Sequence, residues 1–137
     1  MEKPIDLDAH FARWGRAKGW KPMDPNRLTE RECLLQFATR PGMFIGFTTV
    51  RGVTCFLDGY DYAARRAGGR GLDGFRDWLL TNHLRRESNF VWSGVIKQIA
   101  VPEWDFVTDL SPEQEVRILE VLFTLLDQFL AEREGPS

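Results

Sequence analysis

Four side chains in this 137-residue sequence have the intrinsic reactivity for nucleophilic or soft-metal chemistry: His10, His83, Cys33 and Cys55. A thiol attacks when a base or cation lowers its pKa, so a pairing of Cys33 or Cys55 with His83 is the arrangement such chemistry would require. The two cysteines form no CxxC and have no histidine at metal-ligand spacing. Both are expected as reduced thiols in the core. Asp58 with Asp61 and Asp73 with Asp77 are spaced three and four residues apart, which puts each pair on one helix face, where carboxylates hold a metal or share a proton. Arg65, Arg66, Arg70 and Arg76 lie among them, and surface ion pairing is the expected use. Spaced nucleophile–base sets and phosphate-holding loops are missing from the sequence. The reading is therefore a non-enzyme with no catalytic residues, no metal and no cofactor.

Charge points to binding instead. The 18 Lys and Arg nearly balance the 20 Asp and Glu, for a formal charge of −2 and a pI near 5.7, so the sequence gives little reason to expect a nucleic acid partner. The balance hides a polarity: residues 101–137 carry nine acids against two bases, and the preceding hundred carry sixteen bases against eleven acids. Glu113, Glu120 and Asp127 recur along one helical face, and Glu103, Asp105 and Asp109 surround Trp104 just before it. Acids around an aromatic anchor suit a protein partner with a basic surface. A merely solvated helix face is the competing account of the same residues. Trp20, Trp92 and Trp104 fall outside the strongest apolar stripes, either as lids on the core or as interface anchors, and the sequence leaves both open. Arg65, Arg66, Arg70, Arg76, Arg85 and Arg86 form the opposing basic cluster. Arg65–Arg66 and Arg85–Arg86 are expected at helix C-termini, where they meet the macrodipole; the alternative function is a small regulatory or nucleic-acid-associated protein that uses this cluster.

The elements that position these residues read as helices. Ser111, Pro112 and Gln114 supply an N-cap, an N1 proline and a capping-box partner for a helix over 111–132. Val116, Leu119, Leu122, Phe123, Leu126, Phe129 and Leu130 follow at helical spacing, with Ile118, Val121 and Leu125 widening the arc and Glu113, Arg117, Glu120, Thr124 and Asp127 on the wet side. Thr29 with Glu32 opens a second helix that ends before Pro41. Residues 49–67 place Val53, Phe56, Leu57, Tyr60 and Ala64 on one stripe and stop at Gly68-Gly69. Further helices are expected from Leu72 through Phe75, Trp78, Leu79 and Leu84, over 92–100 and over 6–18. The expected fold is all-α: one compact domain across 1–137 of five to six helices, frayed at 1–4 and 134–137, with the last helix packed on those of Val53 and Phe75. The charged first twenty residues exclude a signal peptide, and the longest strongly apolar run, 121–126, is far below the ~20 residues of a membrane span. A cytoplasmic protein without a membrane partner is expected, and self-association stays open.

One string, Arg40-Pro41-Gly42-Met43-Phe44-Ile45-Gly46, resembles the RPGMYIG string of type II topoisomerase ATPase subunits. Those ATPases need an Asn-bearing helix with an acidic base and later glycine-rich loops, and the helix here continues Val53-Thr54-Cys55-Phe56-Leu57-Asp58-Gly59 instead. The string reads as structure: Pro41 ends a helix, Gly42 and Gly46 allow turns, and Met43, Phe44 and Ile45 plug the core. Taken together with Phe56-Leu57-X-Gly59-Tyr60-X-X-Ala63, Phe75-X-X-Trp78-Leu79, a Trp92 segment and an acidic amphipathic last helix, the same string is similar to small all-helical bacterial proteins of polymorphic-toxin and contact-dependent competition loci. The similarity spans roughly residues 34–129, and Phe44 replaces the usual tyrosine. The resemblance implies an immunity protein, which neutralises a cognate toxin, encoded beside it, by stoichiometric binding.

Overall fold

The longest helix of the chain organises the others. The computed structural model describes residues 5–17, 28–41 and 48–135. These form α1 (Leu7–Ala17), α2 (Glu30–Thr39), α3 (Val50–Arg66), α4 (Phe75–Leu79), α5 (Trp92–Ala100) and α6 (Pro112–Glu134), and no strand occurs among them. The fold is all-α. The Ser111 side chain accepts from the Gln114 amide and the Gln114 side chain from the Ser111 amide, so α6 begins where its capping box dictates. Thr29 and Glu32 do the same for α2. At its other end α6 outlasts the sequence reading: Glu134 is helical and Gly135 caps it, because the Gly135 amide still reaches the carbonyls of Ala131 and Glu132.

Eight residues of α6 are buried, from Ile118 to Leu130. At 100° per residue they cover an arc of about 160°, wider than one neighbour fills. Accordingly α6 touches α2, α3, α4 and α5. Phe123 receives the edges of Phe11 from α1 (5.2 Å) and Phe37 from α2 (6.2 Å), and Phe37 stacks on Phe56 of α3 at 4.1 Å. Further along, Phe129 meets Phe75 and Trp78 of α4 at 5.2 and 5.7 Å, and Phe75 meets Trp92 of α5. Val116, expected inward, is only half-buried because it lies at the edge of the arc.

Close approach of α1 to α2 depends on Gly15, where an added Cβ would lie 2.0 Å from the Thr39 methyl. The helix expected from Leu72 starts instead at Phe75. Residues 72–74 make turns that end in a left-handed Gly74, and after Leu79 the helix widens into a single π turn, Leu80–Leu84, closed by the Arg85 amide on the Leu80 carbonyl.

Both cysteines depart from the expected core position and are exposed. The reason is register. The buried stripe of α3 runs through Val50, Val53 and Leu57, and Cys55 is two residues from each of the last two, about 200° around the helix. On α2 the stripe is Leu34, Phe37 and Ala38, which leaves Cys33 about 90° from its centre.

Candidate functional site

The residue types with intrinsic reactivity are scattered. His10 donates to the Glu120 carboxylate (2.6 Å), His83 lies against the Trp78 ring, and the two thiols face solvent. Among the described residues no three of His, Cys, Asp and Glu gather in a metal-binding group. Asp61 accepts from Arg65 (2.8 Å) and from the Leu72 amide (2.7 Å), which ties the end of α3 to the turn before α4. Arg76 donates to the carbonyls of Ser88 and Phe90. Two members of the basic cluster are thus committed within the chain, and Arg66, Arg70, Arg85 and Arg86 are exposed.

The acids of the last third divide into two groups. On α6, Asp127 accepts two bonds from the Arg31 guanidinium (2.7 and 3.1 Å), and Glu120 holds His10. Both lie on the polar side that the periodicity predicts, half-buried and already paired. The apolar arc is so wide that the polar positions at its edge already lie under α1 and α2. Beside them Arg133, its side chain only 8% exposed, donates to the Gly71 carbonyl (2.9 Å) and to Glu30 (2.7 Å), whose other oxygen accepts from the Tyr60 hydroxyl at 2.5 Å. Burial and the Glu30 carboxylate push the Tyr60 phenol well above its ordinary range, so Tyr60 stays a neutral donor. This polar seam fastens α2, α3 and α6 together. The space between α2 and α6 amounts to about 10 Å³. That leaves room for about one water. Of the α6 acids named above, Glu113 is exposed on the first turn.

The second group lies in the loops that flank α5. The 101–110 loop folds back along that helix, so that Phe106 stacks on Phe90 (4.8 Å, 11° between planes) and Trp104 tilts against Phe106 (4.6 Å). Three local features hold this geometry. Asp105 accepts from the amides of Val107 and Thr108 and from the Thr108 hydroxyl, which pulls its pKa down to about 2 and keeps it charged. Phe106 takes a left-handed backbone (φ 63°), uncommon for a bulky residue and a stored strain of the kind found at functional sites. Gly94 makes room for Phe90: an added Cβ would lie 2.7 Å from the Phe90 Cβ. The Trp104 indole donates to the Thr108 carbonyl (2.8 Å), and Lys97 lies 5.8 Å from its ring centroid, so Trp104 is a half-buried support of the loop.

The outer edge of this stack is an apolar strip: Val91 is 67% exposed, Phe90 41% and Val107 87%. Val91 and the half-buried Trp92 line one groove, and the Trp92 indole donates to Asp58 at 3.0 Å. Glu103, Asp105 and Asp109 are exposed carboxylates of the same loop. Sequence reasoning found these acids and Trp104 but missed Phe90, Val91, Phe106 and Val107. Gly42, Met43, Phe44 and Gly46 of the motif string, and Trp20, lie outside the described residues; Arg40 is exposed and Pro41 buried. Among the described residues no helix is long and apolar enough to cross a membrane. No family model matches the chain, and neither a curated protein nor a solved structure matches it.

Proposed function

We propose that this protein is a stoichiometric protein-binding inhibitor of the immunity type, which neutralises a cognate bacterial toxin by covering part of its surface and performs no chemistry itself. The observation that carries the reading is the exposed apolar strip of Val91, Phe90 and Val107. Aromatic and aliphatic side chains held rigidly in solvent cost free energy unless a partner covers them, and a few such anchors supply most of the energy of a protein interface. The supports beneath the strip, Asp105, Gly94 and the Trp104 indole, add preorganisation, which lowers the entropy lost on binding. The motif resemblance supplies the class of partner, and cytoplasmic action follows from that class.

The test is to express the protein encoded beside this one, alone and together with it. The reading expects growth arrest from the neighbour alone, relief on co-expression, and a 1:1 complex by size-exclusion chromatography with light scattering. An inert neighbour, or arrest that persists with no complex formed, overturns it.

A further inference from the structure

One glycine has no explanation inside the chain. Gly59 lies in the middle of the 17-residue helix α3, where glycine weakens a helix, and it is exposed; a Cβ built on it would meet nothing within 4 Å. Gly15 and Gly94 also interrupt helices, but each admits a neighbour from its own chain, Thr39 and Phe90. A helix glycine that makes room for nothing in its own molecule suits the close approach of another. We infer that the exposed face of α3 around Gly59 and Tyr62 is a two-fold interface with a second copy of this chain.

The residues of this face are ordered so as to meet themselves. Asp58, Tyr62 and Arg66 follow at steps of four and form one ridge of the helix; all three are exposed, Tyr62 to 69%. Cys55, Gly59 and Ala63 form the ridge beside it, exposed and small, so the groove between the two is broad. When such four-step ridges interdigitate, the helices cross at about 50°. With the helices running in opposite directions about a two-fold axis, the second copy's ridge fills the groove and Tyr62 meets Tyr62. Asp58 then lies against the second copy's Arg66, and Arg66 against its Asp58. Helices running the same way would set Asp58 against Asp58 and Arg66 against Arg66. The order acid, aromatic, base therefore selects an antiparallel copy of itself, whereas a partner of a single charge satisfies one end of the ridge and opposes the other. Both charges are available: Arg66 makes no ion pair among the described residues, and Asp58 spends one oxygen on the Trp92 indole. The remaining charges do not upset the match. Asp61 and Arg65 lie on the side of the ridge away from the groove and pair at 2.8 Å, with Asp73 3.7 Å from Arg65. Arg51 stands eight residues before Gly59, about 12 Å along the axis, where crossing helices have parted.

A single helix pair is a small contact, so the dimer is weak, and the full chain is measured by sedimentation equilibrium from roughly 10 µM to 1 mM. Wild type is expected to pass reversibly from the monomer mass of 15.8 kDa toward twice that mass. Every substitution counts twice across a two-fold axis. Arg66→Asp alters only an exposed side chain and is expected to weaken the dimer at least about tenfold, and D58R/R66D, which exchanges the two charges, to restore it to within about threefold of wild type. Gly59→Gln fills the groove; it is expected to keep or raise the melting temperature, since a better helix former replaces glycine, and to weaken the dimer at least about tenfold. Wild type that stays monomeric across the whole range overturns the inference. So does a dimer indifferent to Arg66→Asp or Gly59→Gln, or a double variant of wild-type circular dichroism that pairs no more tightly than Arg66→Asp. A dimer that dithiothreitol dissolves would put Cys55 on the axis, and one that V91E/V107E dissolves would put the strip there; either result overturns it as well. The pairing does not use the strip, so its failure leaves the inhibitor reading standing, and its success gives an assembly of two copies with one partner each.

Discussion

Asp127 and Asp105 both belong to the acidic last third of the chain, and their fates are opposite. Asp127 lies on a regular helix, at the margin of an apolar arc, and is consumed by Arg31 of α2. Asp105 lies in irregular chain, satisfies its own loop through Val107 and Thr108, and still presents its charge to solvent. A carboxylate on a core helix is drawn into holding the bundle together, because neighbours packed on a wide arc bring cations within reach. A carboxylate whose hydrogen-bond partners are the amides of its own turn leaves its charge available to another molecule. Acidity alone therefore does not mark an interface; the element that carries the acid decides.

The sharpest way to break this comparison is to cut the seam at its most buried point. Arg133→Met removes the donor to Gly71 and Glu30 and leaves Glu30 facing the Tyr60 hydroxyl without its cation. The expected cost is about 3 kcal/mol, read from urea unfolding. A loss below about 0.5 kcal/mol, the size of an exposed pair, would mean that the seam does not fasten the helices. Partner binding by the folded fraction is expected to be unchanged.

Gly94→Ala probes the other region. The substitution gains about 1 kcal/mol of helix propensity, and the new Cβ drives Phe90 off the helix, which forfeits its stacking on Phe106. Because the clash is with the Phe90 Cβ, which side-chain rotation does not move, the backbone at Phe90 must shift; stability is expected to fall, and partner binding to weaken about tenfold. Unchanged binding would show that the Phe90–Phe106 stack does not preorganise the strip.

How much of this was legible in the sequence differs between the same two regions. The starts of α2 and α6 were readable because a capping box is a contact across three residues, and Thr29 with Glu32 and Ser111 with Gln114 carry all of it. The burial of Leu122, Phe123, Leu126 and Phe129 followed from spacing alone. The wet side followed too, but not that Asp127 and Glu120 on it would be paired, since Arg31 and His10 reach them from ninety-six and one hundred and ten residues away. The strip was hidden for a different reason. Phe90, Phe106 and Val107 sit in segments with no periodicity, and they meet only because Gly94 admits one ring and a left-handed Phe106 turns the other back onto it. A glycine inside a nine-residue apolar helix was the one available signal.

A smaller effect is a pH dependence at Asp105. The folded loop lowers the Asp105 pKa from 3.8 to about 2, so its stabilising contribution is fully present above the ordinary value and is lost as pH falls through about 2. The Trp104 indole signal, which reports the bond to Thr108, is expected to hold its position from pH 7 to pH 3 and to move only near pH 2. Movement centred on pH 4 would mean that the turn does not hold the carboxylate. Asp127→Asn is expected to give the smallest effect of all, about 0.5 kcal/mol of stability, because its pair with Arg31 is partly exposed. Binding should again stay the same.

The central claim is that the loops around α5, and not the acids of α6, meet the partner. The direct measurement is the association rate and affinity of two variants for the neighbour-encoded protein at low salt: V91E/V107E in one, E113K/E120K/D127K in the other. The strip variant is expected to lose at least tenfold in affinity while keeping wild-type stability. The helix variant is expected to lose stability while its folded fraction binds at close to the wild-type rate. A helix variant that binds tenfold more slowly beside a strip variant that binds normally would contradict the account.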